Sequence, residues 1–206
     1  MTNKEFIELV VRDKKVPYDN NLLNDILYQY FKSAIEFLEK QIDFDYMEEV
    51  LNFSLLPNTY EIPLNVKVKK IMTLYDKTHK FELTGDYDAS LFYKIFEDKP
   101  AIPRVFIYHN NKIKFPVKLK EATEYVIRLY KHTYNDSMFV GLDASHPLIE
   151  ENSQLLMSTL GTLIDRYYSP VNQDFSLLPT LLNQEKNSQI QRKTIMSKIR
   201  IDYRRY

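Results

Sequence analysis

Four histidines and four carboxylate pairs are the residues of this chain that could do acid–base or metal chemistry. The histidines lie in separate segments without ligand spacing: His79, His109, His132 and His146. We therefore expect surface or turn histidines. The carboxylate pairs are Asp43/Asp45, Glu48/Glu49, Asp86/Asp88 and Glu150/Glu151. Acid–base catalysis needs two carboxyl groups in different environments inside a cleft, whereas adjacent carboxylates are typical of a solvated face, so we expect neither a catalytic nor a metal site.

Cysteine and glycine usage narrows the chemistry further. The chain contains no cysteine and only three glycines, Gly85, Gly141 and Gly161. Without cysteine there are no disulfides and no thiolate metal ligands. Glycine-rich phosphate-binding loops need several glycines close together, and the Gly-x-Ser-x-Gly pattern of the α/β-hydrolases is absent. The sequence therefore predicts a protein that is not an enzyme and has no cofactor.

The C-terminal residues combine basic, aromatic and alternating apolar side chains. Residues 192–206 carry six Lys or Arg against one Asp, whereas residues 1–60 carry six against eleven Asp or Glu. Ile199, Ile201 and Tyr203 alternate, as an extended segment that adds to a partner's sheet requires. We interpret this tail as a partner-binding site, formed by Ile199, Arg200, Ile201, Tyr203, Arg204, Arg205 and Tyr206.

Two other interpretations of the tail stay open. It could be a frayed, solvated chain end. It could also contact nucleic acid, with arginines on phosphates and with Tyr203 and Tyr206 stacked on bases. The formal net charge of the chain is zero, which gives no general reason to expect a nucleic-acid partner.

Hydrophobic periodicity predicts which elements must position these residues. Apolar spacings of three and four predict helices at about 3–13, 21–41, 147–168 and 179–198. Thr2-Asn3-Lys4-Glu5 is a capping-box pattern for the first helix. Leu156 and Leu160 lie on the apolar stripe of the third helix, so we expect them in the core.

The middle of the chain has the alternation of β-strands instead. Asn110-Asn111 predicts a type I′ turn in a hairpin, because asparagine tolerates positive φ. A long strand is predicted at 121–133, and a short helix or turn at 88–97.

Together these elements predict an α+β fold: an α-helical bundle with an inserted antiparallel β domain and an extended C-terminal tail. The predicted boundaries are 1–45 for the N-terminal helices, 46–135 for the inserted β domain, 136–198 for the helices that complete the bundle and 199–206 for the tail. No apolar run approaches the roughly 18 residues that span a bilayer, and no signal-peptide core follows the N-terminus. We therefore expect a soluble protein made in a cytoplasm, with no membrane partner.

The β block resembles a known protein family. The residues that carry the resemblance are Phe53–Leu56, Tyr60–Val66, Pro103–Tyr108, Lys114–Pro116 and Tyr125–Lys131. They resemble the tyrosine-x-leucine-proline strand, the proline-flanked hairpin and the tyrosine-rich strand of the adaptors that join portal to tail in tailed phages. These head-to-tail connectors of short-tailed viruses are also called tail accessory factors or tail tubular A-type proteins.

The resemblance implies a structural virion protein at the head–tail junction, present in the host cytoplasm during assembly. It implies a homo-oligomeric ring, generally dodecameric, beneath the portal protein and above downstream tail or ring proteins. DNA would pass through the ring lumen without sequence-specific binding. The tail would bind the portal or a neighbouring subunit. The alternative function is a nucleic-acid-binding or DNA-packaging accessory protein that uses the basic tail.

Overall fold

The computed structural model describes residues 1–85, 97–168, 179–180 and 182–187. The short helix or turn predicted at 88–97 falls almost wholly outside these residues. Only part of the predicted helix at 179–198 lies within them, and that part is helical.

The chain divides into two compact units. One unit, here called the helical unit, consists of Met1–Ile42 and Tyr134–Tyr206, and the other, the β unit, is Asp43–Thr133. The described helices of the first unit are α1 (Asn3–Asp13), α2 (Asn20–Leu22), α3 (Tyr28–Gln41), α4 (Leu148–Glu151) and α5 (Ser153–Tyr168), with a π-helical turn at Leu23–Leu27 between α2 and α3.

The helices begin and end where their local sequence directs. At the start of α1 the Thr2 side chain accepts from the Glu5 N–H and the Glu5 carboxylate accepts from the Thr2 N–H, which confirms the predicted capping box. The helix predicted at 147–168 is interrupted at Asn152, whose φ of −153° and ψ of 57° separate α4 from α5. Leu156 and Leu160 are fully buried in α5, as predicted.

Ten strands form the described part of the β unit. They are β1 (Glu48–Leu55), β2 (Glu61–Pro63), β3 (Val68–Asp76), β4 (Phe81–Glu82), β5 (Thr84–Gly85), β6 (Glu97–Ala101), β7 (Val105–His109), β8 (Lys112–Lys114), β9 (Val117–Leu119) and β10 (Thr123–Lys131). The first sheet has the order β1-β10-β3-β4, the second has β2-β8-β7-β5, and β6 and β9 form a two-stranded third.

A hydrophobic cluster inside the β unit explains why these strands alternate. β10 contributes Tyr125, Ile127 and Leu129 to it, all fully buried, at the two-residue period of a strand. Tyr125 stacks on Phe115, with ring centroids 5.2 Å apart. Between β7 and β8, Asn110 and Asn111 both have positive φ, as the predicted hairpin turn requires.

The predicted fold class was wrong. The described chain is a mixed α/β structure whose elements are mostly strands in three sheets, with five α-helices given bounds above, and it is not an α-helical bundle with an inserted β domain. The β part is also not purely antiparallel, because β5 pairs with β7, and β6 with β9, in parallel. Apolar periods identified the long helices and strands, but α2 and α4 have three and four residues, too few to line a bundle. The predicted extended tail lies outside the described residues.

Candidate interaction surface and histidine clusters

The tail residues predicted to bind a partner, 199–206, lie outside the described residues, so their role stays a prediction. The same holds for the carboxylate pair Asp86/Asp88. The surfaces and polar clusters of the described residues therefore provide the candidate sites.

Strand β1 forms an edge of the first sheet. It pairs with β10 along its whole length, from Glu48 opposite Tyr130 to Leu55 opposite Thr123. No other described strand pairs with its second side. An edge of this kind presents backbone N–H and C=O groups that can pair with an added strand. At 8 residues, β1 is longer than a typical strand of five or six residues and offers a long template.

The side chains of β1 leave apolar area exposed beside this edge. Leu51, Phe53 and Leu55 pack against the hydrophobic cluster of the β unit but are only partly buried. On the opposite face of the strand Val50 is 54% exposed, and Leu56 just beyond the strand is 74% exposed. A strand that covered this edge would therefore bury apolar surface as well as pair with the backbone.

Two ion pairs hold the acidic end of β1 against β10. The Arg128 guanidinium donates to both carboxylate oxygens of Glu48, with an Nη2–Oε2 distance of 2.9 Å. This hydrogen-bonded carboxylate raises the pKa of Arg128. Lys131 Nζ lies 3.2 Å from Glu49 Oε2. These contacts tie both carboxylates to β10, at the Glu48 end of β1.

A second feature of the β unit is the His79 cluster, defined by Asp76, His79 and Glu121. Asp76 ends β3 with a fully buried side chain. Its Oδ1 accepts from the His79 backbone N–H at 2.9 Å, and its Oδ2 lies 2.8 Å from His79 Nδ1. Glu121 Oε1, from the loop before β10, lies 3.0 Å from His79 Nε2. The imidazole therefore connects the turn between β3 and β4 to that loop.

The geometry of the His79 cluster favours the protonated imidazole. A neutral imidazole has one N–H donor, whereas two carboxylate acceptors need two, so both contacts form only with the imidazolium. The hydrogen bonds to Glu121 and Asp76 accordingly raise the pKa of His79. The cluster can hold a proton and connect two loops. The nearby Thr78 hydroxyl accepts from the Glu124 N–H at 2.9 Å.

The helical unit contains a contrasting group, the His146 cluster of Asn3, Glu39 and His146, all three buried. Asn3 Oδ1 accepts from the His146 N–H, and Asn3 Nδ2 donates to the carbonyls of Phe139 and Gly141. His146 Nδ1 lies 3.2 Å from the Leu148 N–H and accepts from it. The ring proton of the neutral form therefore sits on Nε2, 3.7 Å from Glu39 Oε1. Burial lowers the pKa of His146 to about 4.

The expectation of surface or turn histidines holds for His79, which lies in a turn, and for His109, which is exposed. It was wrong for His146, which is buried. The spacing of Asp76 and His79 could have indicated a local pair, since a carboxylate three residues ahead can accept from a turn N–H. Glu121 lies 42 residues further along the chain, and no sequence signal connects it to His79.

Two general findings apply to the described ranges. Within them, no group of three or more His, Cys, Asp or Glu side chains is placed to hold a metal ion. In that same part of the chain, no helix has both the length and the apolar character needed to cross a bilayer.

Comparison with known proteins returned no family model and no curated sequence that matches the chain. The mixed α/β fold and the β1 edge are therefore the structural basis for a functional proposal.

Proposed function

We propose that this protein is a structural virion component: a head-to-tail adaptor that forms a ring beneath the portal of a tailed phage and joins it to the tail. The observation that carries the proposal is the open β1 edge, Glu48–Leu55, with half-buried apolar residues beside it. A ring subunit needs a surface that a neighbour can cover, and an edge strand with no described strand on one side is such a surface.

The segments that resemble the adaptors support the proposal from another direction. Phe53–Leu56 includes the end of β1, Pro103–Tyr108 contains most of β7, and Tyr125–Lys131 is most of β10. Their buried members, such as Phe106 and Ile127, belong to the hydrophobic cluster of the β unit. The resemblance therefore covers the framework on which the open edge is built.

The experiment is a pull-down with the portal protein of the virus that encodes this chain. We expect the free chain to be monomeric by light scattering at micromolar concentration and to associate with the portal once it is added. A matched sample with double-stranded DNA tests the accessory-protein alternative. Retention on DNA that falls steeply with salt, without binding to the portal, would replace the adaptor proposal with that alternative.

A further inference from the structure

We infer that the strand added to the β1 edge is the C-terminal tail, 199–206, of a second copy of this chain. The tail would run antiparallel to β1, with Ile199 opposite Leu55 and Tyr206 opposite Glu48. This inference rests on the proposed ring and names the contact between neighbouring subunits within it.

The first argument is the match of two apolar patterns. In the antiparallel register, every alternating apolar residue of the tail meets a half-buried apolar residue of β1: Ile199 meets Leu55, Ile201 meets Phe53 and Tyr203 meets Leu51. Because side chains in a strand alternate between the two faces, all three pairs lie on the face that covers the hydrophobic cluster.

The second argument is charge. In the same register Arg205 lies opposite Glu49, and Arg204 lies opposite Val50, diagonal to Glu48. The basic end of the tail thus meets the end of β1 where Glu48 accepts from Arg128 and Glu49 lies beside Lys131, so the tail arginines would join two existing ion pairs. Parallel addition would instead place the two arginines at the Leu55 end, next to apolar side chains. The antiparallel direction is therefore the one that keeps the arginines beside carboxylates.

The third argument concerns which copy supplies the tail. The described backbone ends at residue 187, so the eleven residues 188–198 connect it to the tail. Eleven extended residues span up to about 36 Å, at roughly 3.3 Å per residue, so the tail is not confined to the surface next to residue 187. Each copy has one tail and one β1 edge, so the contact is heterologous and repeats from subunit to subunit until the ring closes. A tail folded onto its own β1 would occupy the edge that the ring needs.

The absence of cysteine makes the register directly testable. Asn52 is exposed in the middle of β1 and lies opposite Asp202 in the proposed register. The full-length variants Asn52→Cys and Asp202→Cys are purified separately, mixed, added together to the portal and linked by mild oxidation or a short bis-maleimide. The matched control pairs Asn52→Cys with Ile201→Cys, whose sulfur would point to the other face of the strand.

We expect linked dimers from Asn52→Cys and Asp202→Cys, at roughly ten times the yield of the control, because a shift of one residue moves a side chain to the opposite face. A second in-register pair, Ser54→Cys with Arg200→Cys, should give the same result and covers the case in which the first variant misfolds. Equal yields from the in-register and control pairs would overturn the inference. So would a link that forms only within a chain carrying both substitutions, since the tail would then occupy its own β1.

Failure of this inference and failure of the proposed function can be told apart. The wild-type chain is added to the portal in a parallel sample that contains no cross-linker. If it binds the portal while the cysteine pairs give no register preference, the adaptor proposal stands and only the tail contact is wrong. If the wild-type chain does not bind the portal and the cysteine pairs do not cross-link, both the adaptor proposal and the tail contact are wrong.

Discussion

The His146 cluster of the helical unit and the β1 edge of the β unit place polar and apolar groups in opposite environments. In the helical unit Asn3, Glu39 and His146 are polar residues enclosed within the structure. In the β unit apolar residues such as Val50 and Leu56 stay exposed around a strand edge. The His146 cluster satisfies its polar groups within the unit, whereas the β1 edge leaves a surface on which a partner strand would bury apolar area.

The two histidine clusters shift the pKa of their histidines in opposite directions. Burial lowers the pKa of His146, because the charged imidazolium would lose its hydration. His79 has the opposite shift, because two carboxylates accept from it at the rim of the β unit. The charged form of the same residue type is therefore disfavoured in one unit and favoured in the other, and its neighbours decide which.

The largest expected effect comes from removing a buried side chain of the helical unit. Leu160 is fully buried in α5, so Leu160→Ala should lower the free energy of unfolding by about 2–5 kcal/mol. The matched control is Leu56→Ala in the β unit, which removes the same atoms from a side chain that is 74% exposed and should change stability little. Both are measured by urea denaturation. Similar losses of unfolding free energy for the two variants would contradict the contrast between a buried Leu160 and an exposed Leu56.

Acidification should destabilise the protein through His146. Its pKa is about 4 in the folded chain and near the ordinary 6.5 when unfolded, so the unfolded state binds more protons between these values. Stability contributed by neutral His146 is present above pH 6.5 and is lost as the pH falls toward about 4, by roughly 2–4 kcal/mol. The control is His146→Asn, whose side-chain oxygen can still accept from the Leu148 N–H. Parallel curves of unfolding free energy against pH for the two proteins would refute this assignment.

His79 should contribute a smaller change of stability with pH, opposite in sign to that of His146. Its folded pKa is raised, so its stabilising contribution is fully present below the ordinary value of 6.5 and is lost as the pH rises through the folded value. In His79→Asn the amide can still donate to Asp76 but cannot reach Glu121. The wild-type protein should therefore exceed this variant in stability at low pH, with a gap that shrinks as the solution becomes alkaline. A gap that widens with pH would show that His79 is held neutral.

Deleting residues 199–206 should have the smallest effect on stability and a decisive one on assembly. We interpret the tail as a partner-binding segment and not as part of the core, so the melting temperature should change little. Subunit association should be lost, because the strand that covers β1 is gone. Replacing Arg204 and Arg205 by glutamine should slow association and weaken its salt dependence. These effects are read from melting curves and from light scattering on the portal. A large drop in melting temperature after deletion would place the tail in the fold of the monomer.

The sequence predicted local features better than their arrangement. Thr2 and Glu5 identified the start of α1, and Asn110-Asn111 identified the hairpin, because each signal lies within a few residues. The sequence did not predict the two parallel strand pairs. β5 has only two residues and β9 only three, and strands this short show no readable period of apolar residues. The partner of His79 could not be found from sequence either, since Glu121 reaches it only through the pairing of β10 with β3.

Electron microscopy of the full-length chain bound to its portal tests the central claim most directly. The account predicts particles in which a ring of this protein covers one end of the portal, and bare portals in a parallel sample with the chain that lacks 199–206. Portals that stay bare with the full-length chain would contradict the adaptor function. Identical rings from the truncated chain would show that subunits meet without the tail on β1.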